Sequence, residues 1–181
     1  TFWGINTFLD LDIETNSRLG FGTEFKASAF DINGNYYLDP QGRNNHIVGD
    51  NTERVLDGYD FNISGQIPYM PWAHITYNDY EWKKEKGSEN SKGSIYTATI
   101  DLSNNLTIEI GREDNNLTNY SKFAKLIYVA GSKKRPNAED GFSSEAFQNS
   151  DVSKDMLTKV KRSNIITLEV ESSGVVLVNG N

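Results

Sequence analysis

The stretch "GYDFNISGQIP", residues 58–68, sets Tyr59, Phe61, Ile63, Gly65 and Ile67 on one side of an extended chain. Asp60, Asn62, Ser64 and Gln66 fall on the other. Successive side chains of a strand point to opposite faces, so this period of two predicts a strand with one apolar and one polar face. The same period recurs in seven more segments, over about 2–13, 18–27, 30–38, 72–82, 94–102, 106–112 and 122–130. A chain patterned this way must form an antiparallel sheet. The question it raises is whether the apolar faces cover a protein core or meet lipid.

Composition narrows the answer. The chain has 181 residues, of which 36% are hydrophobic and 12% aromatic, enough for one domain. Its mean hydropathy of -0.59 is polar for an ordinary globular core. No apolar run approaches the roughly 18 residues that a membrane helix needs, which excludes helical spanning. A transmembrane barrel escapes that test, because only every second residue of its strands meets lipid. The net charge of -7 provides no basic stripe to neutralise phosphates, so nucleic acid is not an expected partner. Lys133, Lys134 and Arg135 read as a solvated loop. With no cysteine, disulfides and thiolate metal sites are excluded.

The connections carry more information than the strands. Short links lie near Ser28 and Ala29, at "PYMP" and at the hairpin-type "SNN". Between them come the longer polar links "ETNS", "DPQGRNNHIVGDNTERVLD", "KKEKGSENSKG" and "EDNNLTNYS". Short and long connections therefore alternate, as in an outer-membrane barrel with short periplasmic turns and long outer loops. A Greek-key sandwich has no reason to keep that alternation. The division of the chain follows: 1–131 carries the strands, and 132–181 a helix and two short strand-like runs. "SDVSKDMLTKVKRSN" predicts the helix, with Val152, Met156, Leu157 and Val160 as its apolar stripe and a cap at Ser150 or Asp151. "NIITLEV" and "GVVLVNG" follow as two short strand-like runs.

The ordered series of motifs resembles the inverse autotransporter β-domain of the intimin/invasin family, a translocator barrel. The match begins with Asn6, Phe8, Asp10 and Asp12, then Arg18, Leu19, Gly20, Gly22 and Glu24. "FDINGNYYL" is similar to the next family strand. "ERVLDGYDFNISGQIPYMP" aligns through Glu53, Arg54, Gly58, Tyr59, Asp60, Gly65, Pro68, Tyr69 and Pro71, and the family's linker resembles "KRSNIITLEV" through Arg162, Asn164, Ile165, Leu168 and Glu169. The turn after Pro71 is shorter than the family's, and 131–150 matches poorly.

The resemblance implies an all-β, antiparallel transmembrane barrel in the bacterial outer membrane. It would be inserted by the outer-membrane assembly machinery and would display a C-terminal passenger on the cell surface for adhesion to a receptor. The family barrel has twelve strands against about eight here, so four N-terminal strands are expected to lie outside this sequence or to be supplied by another chain. The helix and linker would run back through the lumen, with Lys154, Lys159 and Lys161 pairing with Asp10, Asp60 and Glu24.

Asp10, Asp12, Arg18, Glu24 and Lys26 share polar strand faces, where a lumenal charge ladder is the expected role and catalysis is not. Glu53 and Arg54 read as a salt-bridged loop anchor. His46 and His74 lack further ligands at metal spacing. "GFG" at 20–22 precedes no helix and reads as glycine on a crowded strand face. No catalytic residue, metal site or cofactor is expected, and the protein is not expected to be an enzyme. Trp3, Tyr69, Trp72, Tyr77, Tyr80 and Trp82 near strand ends would form interfacial girdles in a membrane. The alternatives are a soluble β-sandwich or lipocalin-like ligand-binding domain, whose aromatics would stack on sugars, and a small porin-like channel.

Overall fold

A computed structural model describes residues 1–14, 16–42, 46–86, 89–118, 120–131, 134–147 and 160–172. The eight expected strands all form. They are β1 (Phe2–Leu11), β2 (Ser17–Lys26), β3 (Phe30–Leu38), β6 (Gly58–Ile67), β7 (Met70–Trp82), β8 (Ser91–Asp101), β9 (Leu106–Asn115) and β10 (Ser121–Tyr128). They pair antiparallel in the order β1-β2-β3-β6-β7-β8-β9-β10. Apart from the β3–β6 connection, neighbours in sequence are neighbours in space, as a barrel meander requires. Among the described residues the sheet is open, with β1 and β10 as its two edges.

Three short strands stand outside this sheet, and only the last of them was anticipated, as part of the strand-like run "NIITLEV". β4 (His46–Val48) and β5 (Asn51–Val55) form a hairpin inside the long polar β3–β6 connection. β11 (Leu168–Ser172), which takes in the end of "NIITLEV", adds to that hairpin to give a second sheet of order β11-β5-β4. Of the helix expected over 150–164, residues 150–159 lie outside the described residues, and Val160–Asn164 is not helical. "GVVLVNG" also lies outside them.

Burial is inverted relative to a soluble domain. On β6, Asp60 is 4% exposed, Asn62 9% and Ser64 6%, whereas Phe61 and Ile63 are 37% and 41% exposed. Ile5 on β1 is 92% exposed, and Trp3, Leu9, Phe21, Phe30, Ile75 and Ile110 are also open on the outer face. The buried side chains are mostly polar: Arg18, Glu24, Asn33, Asn35, Asp60, Asn62, Ser64 and Thr107 among them. A water-soluble sandwich would bury the opposite set. The apolar side of "GYDFNISGQIP" therefore faces outward, with polar neighbours lining the inner face, as a lipid-embedded barrel demands.

The short turns gather at one end. Ala27 N–H donates to Phe30 O at 2.9 Å, and Leu102 N–H to Leu106 O at 2.9 Å. At the β6–β7 turn Tyr69 takes φ 65° directly after Pro68, the pattern of a turn with proline first and a left-handed second residue. Residues 143–146 hold that turn: Tyr69 N–H donates to Ala146 O at 2.8 Å, and Ser143 N–H to Tyr69 O at 2.9 Å. A 3₁₀ turn at Ala138–Asp140 sits in the same segment, capped by Asn137. Beside it, Trp72 Nε1 donates to Gly141 O at 2.7 Å. The chain leaving β10 is thus moored to the short-turn end.

Candidate functional site

From that mooring the chain reappears at Val160 against the inner face of the sheet, and it leaves at the opposite end, where the long connections lie. The wall grips its backbone. Asn33 and Asn35 donate through Nδ2 to Lys161 O at 2.6 and 3.0 Å. Arg18 donates through Nη2 to Ser163 O and through Nη1 to Ile165 O, each at 2.7 Å. Ser163 N–H donates to Tyr37 Oη at 2.9 Å and to Asp60 Oδ2 at 3.0 Å. Tyr37 itself donates its hydroxyl to Asp60, and Asn35 Nδ2 donates to Asp60 Oδ1 at 2.7 Å. Because these contacts read main-chain groups, they demand an extended segment more than a particular side-chain sequence.

One contact is specific for charge. Asp10 Oδ2 accepts from Arg18 Nη2 at 2.7 Å and Nε at 3.2 Å, and from Arg162 Nη1 at 2.8 Å. One carboxylate thus joins the wall guanidinium, fully buried, to the linker guanidinium. Aromatic faces complete the cage: Arg162 Cζ lies 4.1 Å from the Phe8 ring centroid, and Arg18 Cζ 4.3 Å from that of Tyr37. Tyr37, Leu56 and Trp82 form the small apolar cluster behind it. Beyond the linker, a cavity of about 880 Å³ remains toward β7–β10, lined by Asn78, Tyr80, Glu109, Glu113 and Lys125.

The glycines of the motif have a steric reason. A Cβ on Gly20 would overlap the Phe8 ring, so only glycine lets that ring lie flat under Arg162. At Gly22 the space is filled by the side chains of Asn6 and Asn35, and Gly58 lies under the Trp82 ring.

The exit has its own fittings. Leu56 N–H donates to Thr167 O at 2.9 Å, and β11 then pairs with β5 from Leu168↔Val55 to Ser172↔Asn51. Arg54, 2% exposed, pairs with Glu171 at 3.2 Å, and Lys86 reaches the same carboxylate at 3.4 Å. Hydrogen bonding to Arg54, helped by Lys86, holds the Glu171 carboxyl below the usual carboxylate range. Glu169 Oε2 accepts the backbone N–H groups of Glu85 and Lys86 at 3.2 and 3.3 Å.

The structure brings most of the anticipated residues to this line. Asn6, Phe8, Asp10, Arg18, Gly20, Gly22 and Asp60 lie at the inner wall. Glu24, also inner and buried, pairs with Lys26 at 3.7 Å. Asp12 and Glu53 meet through Asn16, whose Nδ2 donates to them at 3.0 and 2.9 Å. Others stay apart. Tyr59 donates to Asp79 at 3.3 Å, Gly65 faces Phe30 across the β3–β6 pair, and Pro68 and Pro71 flank the mooring turn. Asn164 and Ile165 are exposed and border the cavity beyond the linker. His46 binds Glu14 O at 2.6 Å, while His74 sits on β7 opposite Gln66 and Thr99.

The expected lysine pairing is corrected in detail. Asp10 is met by Arg162 and Asp60 by the Ser163 N–H, while Lys161 presents its carbonyl to the wall; Lys154 and Lys159 lie outside the described residues. Tyr80 and Trp82 are inner-face residues rather than girdle members: Trp82 is 7% exposed, and Tyr80 donates to Glu113 at 2.6 Å. Asn33, Asn35 and Tyr37 were not singled out from sequence, although they alternate along one face of β3 and could have been.

An antiparallel meander with an apolar exterior, a polar inner wall and a chain segment bound along that wall defines an outer-membrane β-barrel of the kind that anchors and translocates polypeptide. The model of the inverse autotransporter β-domain matches residues 1–164, and the chain belongs to that family. Its place is the bacterial outer membrane. A solved structure from the work "Unveiling the Mechanism Behind the in-meso Crystallization of Membrane Proteins" shares the fold. Its TM-score is 0.70 at 19% identity, over 93% of this chain and 74% of that one. No curated protein matches.

Proposed function

We propose that this barrel anchors an intimin/invasin-like adhesin, displaying on the cell surface a passenger that follows the linker and binds a receptor there. The observation that carries the reading is the course of the chain: moored at the short-turn end, clamped at Asp10 and Asp60, and paired with β5 among the long connections. Short turns facing the periplasm make that course outward. The barrel is inserted by the outer-membrane assembly machinery and performs no catalysis; the two carboxylates at the line of contact, Asp10 and Asp60, hold the linker. Further strands join β1 to β10, four by the family's count, because an exposed strand edge in hydrocarbon would leave backbone groups unpaired.

Cysteine accessibility tests this. In the cysteine-free chain, a single cysteine at Asn104 and, separately, one placed after Asn181 are treated on living cells with a membrane-impermeant maleimide. Labelling after Asn181 with protection at Asn104 is expected. Protection at both refutes export, and a product that labels at both and stays monodisperse without detergent is a soluble domain instead.

A further inference from the structure

The β4–β5 hairpin is tied to the barrel independently of the segment it binds. Asn16 Nδ2 ties Glu53 to the β1–β2 turn at 2.9 Å, and the same asparagine is held by Asp12 through its backbone N–H at 2.8 Å. At the other strand of the hairpin, His46 Nε2 meets Glu14 O at 2.6 Å. Both ties run to the β1–β2 connection, so the hairpin stands in position with one strand edge turned toward the lumen exit. That edge accepts β11 in a five-residue antiparallel register.

We propose that the β4–β5 hairpin is a strand-addition template that captures the exported linker as it emerges and holds it against return. The inference rests on the export reading above and adds the device that gives it direction. The template recognises an extended segment carrying two carboxylates two residues apart. Residues i and i+2 of a strand share a face, so Glu169 and Glu171 point together. Glu169 takes the N–H groups of Glu85 and Lys86, and Glu171 takes Arg54 and Lys86. The two acids therefore bridge the β3–β6 and β7–β8 connections, and β11 closes the exit between them. A pre-positioned edge leaves the linker as the main element to be ordered, which favours capture over sliding back.

The test uses the full chain with an epitope after Asn181, plus Val55→Cys and Leu168→Cys, which oppose each other in the register, to report pairing by disulfide formation. Arg54→Glu is expected to lower the ratio of docked to undocked linker about tenfold, as loss of a charge-assisted bond does. Exposure of the epitope falls with it, while the barrel remains heat-modifiable on a gel. Glu169→Lys with Glu171→Lys, which leaves the wall untouched, is expected to do the same, and Arg54→Glu with Glu171→Arg to restore both signals. An epitope exposed equally in every variant overturns the template alone, as does a swap that fails to restore cross-linking in folded barrels. An epitope hidden in the unaltered chain overturns the export reading itself.

Discussion

Replacing Asp10 by Asn separates the lumenal clamp from ordinary surface charge. Its Oδ2 accepts three N–H bonds, at 2.7, 2.8 and 3.2 Å, from two guanidiniums. Each ion pair is worth about 4 kcal/mol at an effective dielectric near 20 and charge centres about 4 Å apart, before desolvation is subtracted. Breaking a buried pair costs about 3–5 kcal/mol, because the remaining charge stays unpaired. Here Arg18 keeps its bonds to two linker carbonyls and Arg162 is partly open, so about 3 kcal/mol is the expected loss. For a domain of this size that lowers the unfolding midpoint by roughly 6–12 °C. The assay is the temperature at which the detergent-extracted barrel loses its fast-migrating gel form. Glu109→Gln, which breaks a pair at 3.7 Å between more exposed groups, is the control and should cost no more than about 1 kcal/mol, a shift of roughly 2–4 °C. Asp10→Asn shifting the midpoint no further than Glu109→Gln would refute the clamp.

Three other outcomes follow from the geometry. Gly20→Ala drives a Cβ into the Phe8 ring and should destabilise the barrel by about 1–3 kcal/mol, and adding Phe8→Ala should recover part of the loss in the same assay. Ile63→Arg places a charge on the lipid face and should cost about 2–4 kcal/mol in detergent-to-bilayer refolding, whereas Thr118→Arg in the β9–β10 connection should be neutral. The contact of β11 with Arg54 should weaken in acid. The Glu171 carboxyl is lowered from 4.5 when docked, so its contribution is complete above that value and is lost as pH falls through the docked pKa. The docked fraction, read as the distance between spin labels attached at Val55→Cys and Leu168→Cys, should accordingly be flat from neutral pH down to about 5 and decline in stronger acid.

The eight long strands were legible because each carries its own period of two, and the face assignment of β6 could be read from the nine consecutive residues Tyr59 to Ile67. β4 and β5 were not: "HIV" and "NTERV" are too short and polar to show a period. The partner that makes β5 a central strand, β11, lies more than a hundred residues later. Strand propensity of that kind is a tertiary property. The stretch Val160–Asn164 reads as the end of a helix by local pattern, yet the carbonyls of Lys161 and Ser163 and the N–H of Ser163 are taken by Asn33, Asn35, Arg18 and Asp60. Wall side chains thus replace the bonds a helix would make within itself. Trp82 looked interfacial from its place at a strand end; the missing side chain at Gly58 is what lets its ring turn inward. Asp10 and Arg18 were visible as a charge pair, but their purpose depended on Arg162, 144 residues after Arg18, and no local pattern links the two.

Export through this barrel requires the linker to lie along its inner wall, as the bonds from Asn33, Asn35 and Arg18 place it. The most direct measurement is a short bifunctional thiol cross-linker applied to outer membranes carrying Asn35→Cys and Lys161→Cys, positions joined by a 3.0 Å contact. Intramolecular cross-linking in the heat-modifiable, membrane-embedded form, absent when the wall cysteine is moved from Asn35 to the outward-facing Ile63, is the result expected. Equal cross-linking from Ile63, or none from Asn35 in the folded barrel, would contradict it.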